Sequence, residues 1–256
     1  STHCISSAAS DVYKRQHLWR CVVGVTALWL WFCAIGLLPL ATAMTLNYMA
    51  PIWISGILFV VAWRAGKRRF EWGLVLAITA SFIGVTLLLR PSIHADQWLG
   101  GFLGLCSGAL SALAYLQVRH LGQLGEPESR VVFYFSLTGF IAGLGGCLFG
   151  PGLNGESISL LRSHSTYGMC LLLSIGVFAA IAQMAMTRAY RLGNTLVTAN
   201  LQYTGIVFSS IWGVLIWSDI LGFFSWLGIA IILVSGIVAT LSLIHISEPT
   251  RQEAIS

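Results

Sequence analysis

The stretch Arg64-Ala65-Gly66-Lys67-Arg68-Arg69 lies between two apolar runs, residues 42–63 and 71–90. Each run is close to the roughly 20 residues that an α-helix needs to cross the hydrocarbon core of a bilayer. Placing one Lys or Arg at the bilayer centre costs about 2.5 to 3.5 kcal/mol, and cationic junctions stay on the cytoplasmic side. The stretch therefore predicts two membrane-spanning helices that are joined in the cytoplasm.

Six further apolar runs of similar length surround this pair. They cover residues 18–38, 97–121, 130–149, 166–190, 195–217 and 222–243. Successive junctions between the runs lie on alternate sides of the membrane. Nine of the eleven Lys and Arg residues between residues 17 and 240 are assigned to junctions on one side, Arg20 among them, and only Arg90 and Arg162 to junctions on the other. The sequence thus predicts an all-α integral membrane protein with eight spanning helices, the first of which runs outwards from the cytoplasm.

The composition excludes most soluble classes of protein. Hydrophobic residues make up 57% of the chain and charged residues 9%, whereas an ordinary soluble domain has about 25% charged residues. The net charge of +5 reflects the loop bias, and no basic stripe with exposed aromatic residues indicates nucleic acid. The expected partner is the lipid bilayer, in the inner or plasma membrane. The cysteines lack metal-ligand spacing, so neither a metal nor a cofactor is expected.

The two ends of the chain are related at the level of DNA. Back-translation of Asp11–Gln16 with one choice of codons gives a sequence whose reverse complement encodes Leu241–Ile246. One element read on opposite strands resembles the inverted adapter of transposase-based library preparation. We therefore expect residues 1–16 and 241–256 to be extraneous and the remainder to be a fragment of a longer gene. The alternative is a pair of natural polar tails.

A shift of 155 residues suggests an internal repeat. It aligns Leu37 with Leu192 and Tyr48 with Tyr203, in both cases where one helix ends and the next begins. In apolar sequence such matches are weak evidence, and by themselves they do not separate a repeat from chance. The matched helices are five apart in order, so the two copies would lie in opposite orientations, which is an architecture of transporters.

The sequence around these matches resembles a known family. The segments Leu37–Ala43 (LLPLATA) and Tyr48–Pro51 (YMAP), with Ala189–Asn194, Tyr203–Gly205 and Trp217–Asp219 in the second half, resemble the EamA-like exporters of the drug/metabolite transporter superfamily. The resemblance covers essentially all of 17–240. It implies a ten-helix inverted-repeat (5+5) bundle, of which this chain would hold the third to tenth helices. Residues 17–90 would then be the remainder of the first repeat, and residues 97–243 the second.

The resemblance also implies a function and brings two departures from the family pattern. The implied function is export of a small metabolite, an amino acid or related organic solute, by alternating access. Arg64–Arg69 stand where the family often has an acidic residue, and the family's first helix, which helps to line the cavity, would lie before residue 17. The chain as it stands could therefore be inactive.

Polar side chains inside the spans are the candidates for substrate binding, because in hydrocarbon each must find a partner or line a cavity. The candidates are Thr45, Asn47, Tyr48, Gln183, Asn200, Gln202, Tyr203 and Thr204. Thr45 and Tyr48 share one face of their helix. Asn200, Tyr203 and Thr204 share one face of the matched helix. Hydrogen bonding between helices is the competing explanation for all eight.

Proline and glycine mark further features of the spans. Pro51 is expected to kink its helix beside Tyr48, as a gate or as a purely structural bend. Glycines at a spacing of four, at positions 100, 104 and 108 and again at 139 and 143, predict close helix packing. That packing could join parts of one chain or the two chains of a homodimer.

Two other classes of function stay open, and an enzyme is not expected. One is a structural or assembly subunit that transports nothing, and the other is a channel. Ser107 lies between glycines in Gly104–Gly108, but the nearest histidines of the chain fall in loops, so no base could reach it. A cavity between the first, second, sixth and seventh helices would distinguish a transporter from a closed structural subunit.

The topology can be tested by cysteine labelling in a cysteine-depleted background. Because the Arg64–Arg69 cluster anchors its junction inside, Lys67→Cys should react with a membrane-impermeant maleimide only from the cytoplasmic side. Gly222→Cys should react only from the outside. Labelling from the opposite sides would show that the orientation is inverted.

Overall fold

The computed structural model describes residues 2–66, 72–90, 97–149, 165–218 and 220–247. Within these ranges the side chains of residues 2–14, 147–149, 217, 240 and 242–247 are not described. Ten helices follow one another in this part of the chain: α1 (Thr2–Leu37), α2 (Leu40–Asn47), α3 (Ala50–Arg64), α4 (Trp72–Leu89), α5 (Trp98–Gln123), α6 (Glu128–Phe149), α7 (Thr166–Leu192), α8 (Thr195–Leu201), α9 (Thr204–Trp217) and α10 (Phe223–Ser247).

The predicted fold class is confirmed, since the described residues form helices and no strands. By length and composition, six helical stretches among them can cross a membrane, and α2 with α3 and α8 with α9 each count as one stretch. The other two apolar runs are α6 and α10, and the described apolar part of α10 is Phe223–Ala239. Lys67, Arg68 and Asp219 lie outside the described residues.

Two expectations from the sequence are wrong. The runs 42–63 and 195–217 are not single helices, because each is interrupted by a short turn, at Tyr48–Met49 and at Gln202–Tyr203. Arg20 is not a junction residue. It lies inside the candidate span Arg15–Leu37 and is only 3% exposed.

Helix boundaries support the internal repeat. With the shift of 155 residues, the end of α1 at Leu37 coincides with the end of α7 at Leu192. The start of α2 at Leu40 likewise coincides with the start of α8 at Thr195. The interrupting turns also correspond, to within one residue. A shared pattern of helix ends is stronger evidence than identities in apolar sequence, because composition alone does not produce it.

The chain divides into two compact units. The first consists of Ser1–Thr26 with Ala114–Leu192, and the second of Ala27–Leu113 with Gly193–Ser256. In the first unit α6 packs against α7. These units do not follow the domain boundaries proposed from the sequence, which stay a prediction. The boundary at residue 16 also stays a prediction, although α1 is continuous across it and Gln16 Nε2 lies 3.3 Å from His120 Nε2.

The second unit is built on the packing of α4 against α10. Gly84 and Gly228 bring the two backbones together: a Cβ added at Gly84 would lie 2.7 Å from the Gly228 carbonyl oxygen. A Cβ added at Gly228 would collide with the Gly84 carbonyl oxygen and lie 3.0 Å from the Leu88 nitrogen. Small residues allow such close approach. In a membrane, lipid tails are as apolar as the side chains, so helices associate through close packing rather than through the hydrophobic effect.

This contact makes a prediction about glycine substitutions. Gly228→Ala should lower the midpoint of thermal unfolding in detergent, because overpacking against backbone costs about 1 to 3 kcal/mol. Gly56→Ala is the matched control, since an added Cβ there meets nothing within 4 Å and alanine favours helix. Equal midpoints for the two variants would show that the α4–α10 contact is not close.

Candidate functional site

The two helix interruptions form the centre of the candidate site, and the first of them follows from Pro51. Proline has no N–H to donate to the carbonyl of Asn47 four residues earlier, so the helix cannot continue regularly. The chain instead makes shorter turns, with Met49 N donating to Leu46 O at 3.2 Å and Ile52 N donating to Met49 O at 2.9 Å. Pro51 lies in the first turn of α3, so the predicted kink is present as a break between α2 and α3.

The second interruption has no proline. There the turn consists of bonds from each N–H to the carbonyl three residues earlier, from Tyr203 to Asn200 and from Gly205 to Gln202, both at 3.1 Å. The helix before it starts in a different way from its counterpart. The Asn194 side chain accepts a hydrogen bond from Leu196 N at 2.9 Å, whereas Pro39 occupies the equivalent position ahead of α2.

The interruptions bring Tyr48 and Tyr203 together. Their ring centroids are 6.3 Å apart and the planes are tilted by 33°, within the range of favourable aromatic pairs. A Cβ added at Gly205 would lie 3.7 Å from the Tyr48 hydroxyl oxygen. Tyr203 is completely buried, and its hydroxyl has no hydrogen-bond partner among the described residues. An unpaired buried hydroxyl is costly, so a role in binding would explain why this residue is Tyr and not Phe.

Two of the candidate amides link helices. Asn47 Nδ2 donates to Ser107 Oγ at 2.9 Å, and Ser107 donates in turn to the Ala27 carbonyl at 2.8 Å. Asn200 Nδ2 donates to the Ser235 carbonyl at 3.3 Å, while its Oδ1 has no partner. For Asn47 the structure thus favours the explanation of bonding between helices. Asn200 combines that bond with a free acceptor.

The remaining candidates are placed less centrally. Thr45 donates to the Ala41 carbonyl of its own helix at 2.8 Å, and Thr204 donates across the second turn to the Leu201 carbonyl at the end of α8 at 2.7 Å. Gln202 lies in the turn itself. Gln183 belongs to the other compact unit, on α7, where its buried Oε1 has no partner.

Sequence reasoning missed the serines that complete these links. The sequence suggests for Ser107 a Gly/Ser packing face or a nucleophile, but not a hydrogen bond between helices, and it suggests no role for Ser81 or Ser235. The hydroxyls of Ser81 and Ser235 form a hydrogen bond between α4 and α10. The signal that could have found them is a serine at the centre of an otherwise apolar span, where it must have a partner.

The glycines at 100, 104 and 108 pack within the chain. A Cβ at Gly100 would lie 2.7 Å from Leu38 Cγ, and one at Gly108 would lie 2.8 Å from the Leu46 carbonyl oxygen. The seam therefore holds α5 along α2, from Leu38 just before that helix to Leu46 near its end, beside the first interruption. Among the described residues, a Cβ at Gly139 or Gly143 meets nothing within 4 Å.

The first unit carries a group of charged residues at the ends of its helices. Arg191 Nη1 lies 3.0 Å from Glu128 Oε1, and Arg130 Nη1 lies 3.1 Å from Glu126 Oε2. The backbone N–H at the start of α6, followed by Arg191, holds the pKa of Glu128 below its usual range. The link between α6 and α7 is therefore kept at neutral pH and is lost only when pH falls through this lowered pKa.

Comparison with known proteins agrees with this architecture. No family profile matches the chain. The chain is 27% identical over 225 residues to an uncharacterized transporter of Helicobacter pylori, covering 87% of this chain and 72% of that protein. It is 28% identical over 203 residues to the pseudopaline exporter of Pseudomonas aeruginosa, covering 78% and 66%.

Two further comparisons extend the likeness. A probable transport protein of Saccharomyces cerevisiae is 22% identical over 242 residues, covering 85% of this chain and 65% of that protein. A crystal structure with 19% identity superposes with a TM-score of 0.71 over 86% of this chain and 76% of that chain, which shows the same fold. The chain is similar to membrane transporters. This likeness supports an integral membrane transporter and a role without catalysis.

The link through Ser107 can be tested by substitution. Ser107→Ala should lower the midpoint of thermal unfolding, because it leaves the Asn47 amide and the Ala27 carbonyl without a partner, and such bonds are worth about 0.6 to 2 kcal/mol in membrane proteins. Ser209→Ala is the control, since Ser209 bonds only its own helix, at Ile206 O. A larger effect for the control would contradict the link.

Proposed function

We propose that the protein is a secondary transporter of the EamA-like kind that exports a small organic solute across the cell's inner or plasma membrane by alternating access. Its full bundle would have ten helices in two inverted repeats. The observation that carries the proposal is the pair of matching interruptions, which bring together Tyr48 and Tyr203 from two different candidate spans. The likeness to transporters and to one named exporter supports the same conclusion.

Interrupted helices have a physical reason in such proteins. Non-helical backbone at membrane depth is tolerated only where protein or a water-filled cavity can satisfy its polar groups. Transporters place their substrate sites at such interruptions, near the bilayer midplane and between repeats. The two turns of the second unit have this character, and each carries a tyrosine at the matching position of its repeat.

In this proposal the eight candidate residues have different roles. Tyr48, Tyr203 and the free acceptor of Asn200 would contact the solute directly. Thr45, Thr204 and Gln202 would contribute secondary contacts to it, and the amide of Asn47 would hold its wall in place. Gln183, in the other compact unit, stays a separate prediction. An amino acid or related metabolite offers both the polar groups for these side chains and an apolar part for the rings.

Transport assays on Tyr→Phe variants test the proposal. Tyr203→Phe, reconstituted in liposomes, should lower counterflow of a radiolabelled amino acid several-fold, since one neutral hydrogen bond is worth about 0.5 to 1.5 kcal/mol. The same variant should unfold at a higher temperature, because it removes an unpaired buried hydroxyl. A purely structural tyrosine would change the midpoint without changing flux.

The controls separate this site from general effects. Tyr167→Phe removes a hydroxyl from a residue that is 75% exposed and should leave counterflow unchanged. The double variant Tyr48→Phe with Tyr203→Phe should show a larger loss than either single variant. If it transports every tested amino acid at the wild-type rate, the site is wrong. If the wild type itself transports none of them, a structural subunit becomes the better description.

A further inference from the structure

Arg20 is a buried cation inside a membrane span, and its side chain points toward the span's centre. The residue lies near the start of the candidate span Arg15–Leu37 and is 3% exposed. An Arg at this position normally directs its guanidinium back toward the interface. Here it extends along α1 toward Gly24, one turn further into the span, where an added Cβ would collide with Arg20 Nη1.

The guanidinium lies in a slot formed by an aromatic ring and a missing side chain. Arg20 Cζ is 4.2 Å from the centroid of the Phe135 ring, and a Cβ at Gly24 would also lie 2.9 Å from Phe135 Cε2. The ring covers one face of the guanidinium. It leaves the N–H groups free, because these point outwards in the plane of the group.

Two of the three side-chain nitrogens of Arg20 have no acceptor in the described part of the chain. Arg20 Nε and Nη1 are buried without a hydrogen-bond partner. The ion pairs found there join Glu126 to His17 and Arg130, and Glu128 to Arg191. His17 Nε2 lies 3.3 Å from Glu126 Oε2, near enough for an ion pair although not aligned for a hydrogen bond. These described carboxylates thus already contact other basic side chains.

We propose that Arg20 binds the carboxylate of a small organic acid. The planar guanidinium fork matches a carboxylate with two parallel hydrogen bonds. A single available cation suits a singly charged carboxylate better than a doubly charged phosphate. The Phe135 ring beside the guanidinium indicates a ligand with an apolar or aromatic body.

This inference rests on the proposed function only in treating the acid as a transported solute, since binding itself can be measured without transport. Arg188, on α7 of the same unit, is a useful comparison. Arg188 is exposed, whereas Arg20 is enclosed. An enclosed cation gains more from an anionic ligand because water screens the attraction less.

The test compares an acid with its neutral amide. The purified protein in a neutral detergent is titrated with phenylacetate or with phenylacetamide, and the midpoint of thermal unfolding gives the apparent Kd. Phenylacetate should stabilise the protein and phenylacetamide should not. Arg20→Gln should weaken phenylacetate binding about tenfold or more, as expected for a lost charge-assisted hydrogen bond. Arg188→Gln, with the same loss of charge in the same unit, should bind like the wild type.

Other variants keep the test decisive if Arg20→Gln does not fold. Gly24→Ala retains the charge but displaces the guanidinium, so it should also weaken phenylacetate binding. Arg20→Lys should bind more weakly than the wild type, because an ammonium lacks the fork. Equal phenylacetate affinity in the wild type and these variants overturns the proposal, as does equal stabilisation by acid and amide or no stabilisation by the acid.

A lipid headgroup is the other source of an anion, and a second arm identifies it. If phosphatidylglycerol, but not phosphatidylcholine, stabilises the wild type in an Arg20-dependent way while phenylacetate has no effect, the ligand is a lipid phosphate and the proposal fails. Phenylacetate binding that depends on Arg20 without counterflow in liposomes would support the site and contradict transport. Counterflow of phenylacetate at the wild-type rate in Arg20→Gln would support transport and contradict the Arg20 site.

Discussion

Hydrocarbon offers no hydrogen bonds, and this constraint governs the second unit around its two interrupted spans. A broken helix inside a bilayer must satisfy its own free carbonyls or line a polar space. The turns at Tyr48–Met49 and Gln202–Tyr203 do so partly with backbone hydrogen bonds to the carbonyl three residues earlier. Next to the first turn, Gly108 of α5 comes close to the Leu46 and Asn47 carbonyls. The helices around these turns are largely apolar, so each of the few polar groups near them matters for the structure.

The polar side chains of the second unit divide into satisfied and unsatisfied groups. Asn47 with Ser107, and Ser81 with Ser235, use their hydrogen bonds to join helices. Tyr203 is as deeply buried as any of these but leaves its hydroxyl without a partner. Natural proteins seldom retain such groups without a reason. The contrast between the two groups, more than the presence of polar residues, identifies the tyrosine pair as the candidate site.

Sequence reasoning succeeded where a long-range regularity governs the structure. Apolar run length and the distribution of cations predicted the all-α membrane class, and the position of Pro51 predicted an irregular helix. Reasoning from residue spacing also selected Tyr48 and Tyr203, which the structure brings together. The interruption at Gln202–Tyr203 was not predicted. No proline or glycine pair marks its position in the sequence, so the turn depends on tertiary packing.

Side-chain direction limited the prediction of charged groups. Arg20 was assigned to a junction because an arginine near the end of a span usually reaches the interface. Its actual direction depends on Gly24 on the same helix and on Phe135, which is more than a hundred residues away in sequence. No local pattern contains that information. The same limit applies to the serines, whose partners lie on helices distant along the chain.

The two turns also divide the second unit mechanically. On the N-terminal side of each turn, an amide anchors a short helix to its neighbours: Asn47 anchors α2 and Asn200 anchors α8. On the C-terminal side, the hydroxyls of Ser55 in α3 and Ser209 in α9 bond only to their own helices. A tilt of α3 or α9 about its turn would therefore keep the anchoring bonds and exchange mainly apolar contacts. Lipid tails can replace such contacts at little cost, so in the proposed transport cycle α2 and α8 would stay fixed while α3 and α9 tilt.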